Sequence, residues 1–254
     1  YVGREEEVEI LCRYLLTDQP PIVSIMGEGG VGKTRLAIAV VKQIVEGTET
    51  HPFSAGCWFI SCGGIDAGES ARQQLIISIG ATIGMPFQGA NPIFEQLANY
   101  LANKAMLLVI DSVEHLSDQL DIFWSLLQHA RGLSLLFTSR HDLNIQGDKC
   151  LRLDGLSMPP FAEHDLSYQL SEHALAQLLQ MPSVQLFYER ARKITPTFTI
   201  TQQNGVAMAK LCRLLDGNPL VLELAATLAS NFDLATLYNE LTRNYTLLST
   251  DLKE

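Results

Sequence analysis

The chain has 254 residues, 47% of them hydrophobic and 18% charged, with a formal charge of −10. This is the composition of a compact globular protein with room for one large or two modest domains, and no apolar run approaches the roughly 18 to 20 residues of a membrane-spanning helix. The acidic balance argues against direct nucleic-acid contact, because neutralising phosphates needs a Lys/Arg face.

Cys12, Cys57, Cys62, Cys150 and Cys212 are odd in number and form no C-x-x-C pair, so neither a disulfide framework nor a zinc site is expected. Most lie in apolar stretches and read as core filling in a reducing, cytoplasmic compartment. The chain opens at Tyr1 without a Met or a basic and apolar leader, which suggests an excised fragment of a longer parent chain and gives no sign of secretion.

In chain order, the acidic turn Glu5-Glu6-Glu7 followed by Val8, Leu11, Tyr14 and Leu15 predicts a first helix, since carboxylates favour the positive end of a helix dipole. The apolar run Ile22 to Met26 predicts a strand. Directly after it, Gly27-Glu28-Gly29-Gly30-Val31-Gly32-Lys33-Thr34 is a complete G-x-x-x-x-G-K-[ST] phosphate-binding loop. In such a loop glycines let backbone N–H groups curl around phosphates, the Lys reaches the outer phosphates and the Thr hydroxyl is a ligand for Mg²⁺. Gly27, Gly29, Gly30, Val31, Gly32, Lys33 and Thr34, with Arg35 behind them, are therefore the expected nucleotide contacts. Leu36, Val40 and Ile44 recur at helical spacing after the loop, as an amphipathic helix on a sheet requires.

Cys57 to Ser61 reads as the next strand and Gly63 to Gly68 as a loop too glycine-rich for regular structure. Leu75, Ile76, Ile79 and Ile83 predict a helix ended near Gly84 and Pro86, and Phe94, Leu97, Ala98 and Leu101 predict another. Met106 to Ile110 is a continuous apolar run, the mark of a strand buried on both faces of a parallel sheet. Phe123, Leu126 and Leu127 form a helix face before the buried strand Leu133 to Phe137, and Cys150 to Leu153 is a weaker last strand. Strands alternating with helices of 10 to 15 residues predict an α/β, doubly wound parallel sheet of the P-loop NTPase type. The double proline Pro159-Pro160 marks the expected boundary, with residues 1–156 as the nucleotide-binding domain and 157–254 as a small all-helical domain. Beyond it Leu175, Leu178 and Leu179, then Val184, Phe187, Ala191 and Ile194, then Val206, Leu211, Leu214 and Leu215, then Leu220, Leu224 and Leu228 mark successive helices. Thr197 to Ile200 reads as a cap for the helix that follows it.

Asp111 closes the run Met106 to Ile110 and so stands at a strand tip, where open α/β sheets bind ligands. It is expected to hold Mg²⁺ with Thr34, although a strand-end Asp is also an ordinary turn former. The nearest acid that could orient an attacking water is Glu114, which points either inward to a γ-phosphate or outward as the first turn of a helix. Slow or conditional ATP hydrolysis follows. Arg140, after Thr138-Ser139, stands at another strand tip, either beside a γ-phosphate or facing solvent. In Gly217-Asn218-Pro219-Leu220 the Gly can cap one helix and Pro219 can start the next. The six histidines form no metal-binding pattern, so Mg²⁺ carried by ATP or ADP is the only metal expected.

Taken together, Val2-Gly3-Arg4-Glu5, Gly27 to Thr34, Leu107 to Asp111, Thr138-Ser139-Arg140 and Gly217 to Ala226 resemble the ordered signature of the STAND ATPases, and more narrowly the NB-ARC-like core of bacterial multidomain signalling and transcription regulators. The resemblance spans nearly the whole chain. It implies a switch that is closed with ADP, opens on exchange for ATP and then oligomerises to activate an effector. It places Val2 and Arg4 against the adenine, Arg140 on the γ-phosphate and Pro219 on the nucleotide from the helical domain, with Leu156 to Pro160 as hinge. It also implies a winged-helix sensor domain after residue 254. Ser112 stands where many NB-ARC proteins carry a second acid, and Asn218 where Leu is commoner. The competing readings are an AAA+-like mechanical ATPase acting on nucleic acid, which an acid directly after Asp111 would favour, and a small-molecule kinase, which an acceptor lid would favour.

Overall fold

A computed structural model describes residues 3–47, 51–68, 70–159 and 169–244. Two compact units emerge. One comprises Glu5–Gly29 and Lys33–Leu153; the other takes Gly3, Arg4, Gly30–Gly32 and the described residues from Asp154 onward.

The first unit is a five-stranded parallel sheet in the order β2-β3-β4-β1-β5, with β1 Ile22–Met26, β2 Cys57–Ser61, β3 Met106–Asp111, β4 Leu133–Ser139 and β5 Lys149–Arg152. Every residue of β3 is buried, and all but one of β4, as a strand covered on both faces must be. The covers follow from the alternation of side chains along each strand. Ile22, Met106, Leu108, Ile110, Leu133, Leu135 and Phe137 share a core with α3 Ala71–Thr82, α4 Ile93–Leu101 and α5 Asp121–His129. Val23, Ile25, Leu107, Val109 and Leu136 take the opposite parity, and α2 Lys33–Gly47 packs on that face, itself against α1 Glu5–Arg13. Leu36, Val40 and Ile44, the stripe expected from spacing, are fully buried. Leu11 and Leu15 are buried too, Leu15 within a wide helical turn, Tyr14–Asp18, that follows α1.

Strand order matters for the site. β4 lies between β1 and β3, pairing Met26 with Ser139 on one side and Ile110 with Phe137 on the other. The Thr138-Ser139-Arg140 corner therefore emerges between the phosphate loop and Asp111.

The second unit holds α6 Glu172–Gln180, α7 Pro182–Ile194, α8 Gly205–Leu214, α9 Pro219–Leu228 and α10 Leu234–Arg243. Sequence spacing misses α10, whose Leu234, Leu237 and Leu241 are buried although Asp233 caps it through Ala235 N and Thr236 N. In α9 the helix forms as expected but the buried face is Leu222, Ala225 and Ala226, while Leu220 is 41% exposed. Small alanines let α7 and α9 approach, and a leucine count overlooks them. Arg190 on α7 meets Glu223 on α9 at 2.9 Å.

In the segment expected to be a hinge, Pro160 lies outside the described residues, and the described part is bonded inside this unit. Leu156 is buried and its N–H donates to Gly217 O at 2.8 Å; Ser157 O accepts from Ser183 Oγ at 2.8 Å; Pro159 O accepts from Arg213 Nη2 at 3.0 Å. The crossing is tight because both chains present glycine. A Cβ on Gly155 would lie 2.0 Å from Asp216 O, and one on Gly217, whose φ is +60°, would lie 2.3 Å from Leu156 O. Gly155→Ala should therefore cost about 1 to 3 kcal/mol and lower the urea midpoint of unfolding, because backbone has to move to admit the methyl. Gly64→Ala, where nothing lies within 4 Å, should leave the midpoint nearly unchanged.

Candidate nucleotide site

The loop Gly27 to Thr34 joins β1 directly to α2, and its first residue is tied to the neighbouring strand by Gly27 N donating to Ser139 O at 3.2 Å. Gly30 and Gly32 take φ of +78° and +102°, values open to glycine and costly for other residues. The sequence supplies glycine where the turn demands it.

Lys33 curls back over its own loop, donating from Nζ to Gly27 O at 2.7 Å and Glu28 O at 2.8 Å. Burial lowers its pKa, with Arg140 working in the same direction while Glu114 and Asp111 oppose the shift. Two cations and two carboxylates thus share this end of the sheet.

Asp111 is 7% exposed, and a buried carboxylate needs donors. Its Oδ1 accepts from Thr34 Oγ1 at 2.7 Å and from Thr138 Oγ1 at 2.6 Å. Thr34, Asp111 and Thr138 come together because β3, β4 and the start of α2 meet on one face of the sheet. The motif suggests Thr34 and Asp111 as joint Mg²⁺ ligands, and here the two side chains are hydrogen-bonded to each other. Thr138 also accepts from Ser112 N at 2.9 Å, an arrangement the sequence does not advertise.

Ser112 is itself unusual. Its φ is +62°, left-handed for a residue with a side chain, and the chain turns sharply just beyond Asp111. Glu114 follows at the first position of the 3-10 helix Glu114–Gln119, and its Oε1 meets Arg140 Nε at 3.1 Å. Glu114 thus opens a short helix and at the same time pairs with Arg140. Its Oε2 is buried and makes no hydrogen bond. Arg140, with a side chain 63% exposed, also passes over the loop, its Cζ 4.0 Å from where a Cβ on Gly29 would stand. Arg35, the residue after Thr34, is exposed on α2.

Of the remaining expected contacts, Arg4 and Pro219 belong to the helical unit. Val2 lies outside the described residues. Arg4 is 5% exposed and donates from Nη2 to Asp154 O at 2.5 Å and to Val31 O at 3.5 Å. Pro219 occupies the first turn of α9, behind Asn218, whose Oδ1 accepts from Leu220 N and Val221 N and so caps the helix. Leu220, one residue on from the proline, is the one that reaches Gly30, donating N–H to its carbonyl at 3.2 Å.

The cysteines divide by environment. Burial pushes Cys62, next to the site, up to about 12, with Asp111 and Glu114 adding to the shift; it pushes the fully buried Cys212 to about 12 as well. Cys150 is exposed, so core filling describes Cys62 and Cys212 but not Cys150.

Thr138→Val conserves volume while removing both the donor to Asp111 and the acceptor for Ser112 N. It should destabilise the sheet unit by about 1 to 3 kcal/mol in urea unfolding, the cost of leaving buried groups unpaired. An unchanged midpoint would mean that Asp111 is satisfied without it.

Comparison with known proteins bears on the family and the fold. Residues 4–173 match the NB-ARC domain. A Mycobacterium tuberculosis protein provisionally named an HTH-type transcriptional regulator is 32% identical over 217 residues, covering 83% of this chain and 20% of its own length. The chain spans between a fifth and a half of the mycobacterial relatives it matches. Among solved structures, the Walker-type ATPase of Pyrococcus abyssi aligns with a TM-score of 0.57 at 16% identity, over 100% of this chain and 75% of its own. The STAND protein with a tetratricopeptide repeat sensor from Pyrococcus horikoshii aligns with a TM-score of 0.51 at 19% identity, over 96% of this chain and 32% of its own. At these identities the two likenesses concern the fold, a P-loop NTPase sheet followed by helices, and it is the match over residues 4–173 that identifies the chain as a member of the NB-ARC domain family.

Proposed function

We propose that this chain is an ATP/ADP-binding regulatory switch with slow ATPase activity, the nucleotide-responsive core of a larger signalling or transcription regulator. The observation that carries this reading is the Glu114–Arg140 pair at 3.1 Å beside an intact phosphate loop. A group suited to orienting water is present, but the same cation expected at a γ-phosphate holds one of its oxygens. Splitting ATP then depends on where Arg140 is engaged, and the bound nucleotide matters more than the rate. The name of the mycobacterial relative supports a regulatory output.

In this reading Lys33 exchanges Gly27 O and Glu28 O for phosphate oxygens. The donor set Thr34 Oγ1 and Asp111 Oδ1 is all oxygen, with the two atoms 2.7 Å apart, and suits a hard cation such as Mg²⁺. When bound, Mg²⁺ neutralises phosphate charge. Arg140 turns from Glu114 to the terminal phosphate, where a guanidinium fits several oxygens at once. Glu114 Oε2, buried and without a hydrogen bond, is then the acceptor for the proton of the attacking water. Ser112 offers a hydroxyl, and no carboxylate, at the position next to Asp111, which supports slow turnover. Val2 as an adenine contact, Pro219 as a nucleotide contact and oligomerisation with ATP bound complete the proposal.

The test is the nucleotide that co-purifies with the chain together with its steady-state turnover. Retained ADP and turnover well below one per minute are expected; brisk turnover, or transfer of phosphate to a metabolite, sinks the switch. Glu114→Gln should cut hydrolysis roughly 100-fold and leave ATP bound. Lys33→Ala should abolish nucleotide retention, and retention in that variant would mean the loop does not hold the phosphates.

A further inference from the structure

We infer that Arg4 is a positioning residue for phosphate: together with the backbone of α9 it presets the amides at the apex of the phosphate loop. The inference rests on the nucleotide-binding reading above and specifies how the loop is made ready. All of the groups involved lie in the helical unit, to which Gly30–Gly32 belong.

Two successive carbonyls at the apex are held from outside the loop. Gly30 O accepts from Leu220 N at 3.2 Å, and Val31 O accepts from Arg4 Nη2 at 3.5 Å. Peptide units are planar, and no cis bond occurs among the described residues. In a trans peptide the N–H points opposite to the C=O. Holding Gly30 O therefore turns Val31 N–H away from α9, and holding Val31 O turns Gly32 N–H away from Arg4. These are two of the amides that a phosphate loop turns on its anion. With their carbonyls anchored, the amides need not be reoriented when phosphate arrives, which is the general benefit of preorganised donors.

The anchors are themselves fixed. Arg4 is 5% exposed, and its Nη2 also donates to Asp154 O, so the guanidinium spans from Asp154 to the loop. Leu220 N is held in the first turn of α9, where Asn218 Oδ1 shares it. Gly30 cannot withdraw behind a side chain, since a Cβ there would lie 2.8 Å from Leu220 Cβ and 2.9 Å from Asn218 Oδ1. Contact with the adenine base, the role the resemblance gives Arg4, would touch only ligands that carry a base. Presetting the amides acts on the phosphates of every ligand.

Isothermal titration of the 254-residue chain with ATP and with inorganic tripolyphosphate, each with Mg²⁺, separates the two. Arg4→Ala should weaken both by a similar factor, about tenfold, as loss of one charge-assisted hydrogen bond would. Arg4→Lys keeps the charge and the aliphatic stem but loses the planar fork, and should fall between wild type and Arg4→Ala at an unchanged melting temperature. This second variant decides the matter if Arg4→Ala does not fold. Weaker ATP with unchanged tripolyphosphate would overturn the inference in favour of a base contact, and so would wild-type affinity for both ligands in Arg4→Lys. A wild-type chain that binds ATP but no tripolyphosphate also overturns it, because the amides then contribute little by themselves. A wild-type chain that binds neither overturns the nucleotide reading instead.

Discussion

The buried Asp111 carboxylate organises the sheet end of the molecule. A charge that is 7% exposed is tolerated only where donors replace water, and Thr34 and Thr138 supply them from two different elements. That requirement ties the start of α2, the tip of β3 and the tip of β4 to one oxygen atom. It also accounts for the strand order in functional terms, since β4 must stand next to β3 for Thr138 to reach. Lys33, Glu114 and Arg140 are placed by the same three tips, so their distances depend on a hydrogen-bonded carboxylate rather than on loop chance.

Much of this was legible beforehand. The phosphate loop, the two-sided burial of β3 and β4 and the position of Asp111 follow from glycine spacing and unbroken apolar runs, because backbone geometry and burial leave few alternatives there. Thr138 and Ser112 were not legible in the same way. Which face a threonine presents depends on strand order, and strand order is a matter of long-range pairing that no local window contains. The left-handed turn at Ser112 is hidden for a related reason: serine has no strong preference for it, and the acid it brings into play, Glu114, sits at a spacing equally natural for a helix start.

The helical unit shows where periodicity misleads. Leucines at 220, 224 and 228 suggest one face of α9, yet Leu222, Ala225 and Ala226 are the residues that α9 buries. Alanine carries little weight in a hydrophobic count and much weight where helices approach closely. The double proline had a similar effect. It suggests a boundary, but the last strand ends at Arg152, Leu156, Ser157 and Pro159 are bonded into the helical unit, and the compact division of the chain falls after Leu153. A proline-marked boundary in the sequence and the edge of a compact unit are therefore different things.

The glycine crossing at 155 and 217 constrains the two positions together. Each glycine lies against backbone from the other's segment, so a side chain at either position must be answered by a backbone displacement at the other. Far apart in sequence, the two glycines are joined at a point where two stretches of main chain touch, and the space at one is set by the other.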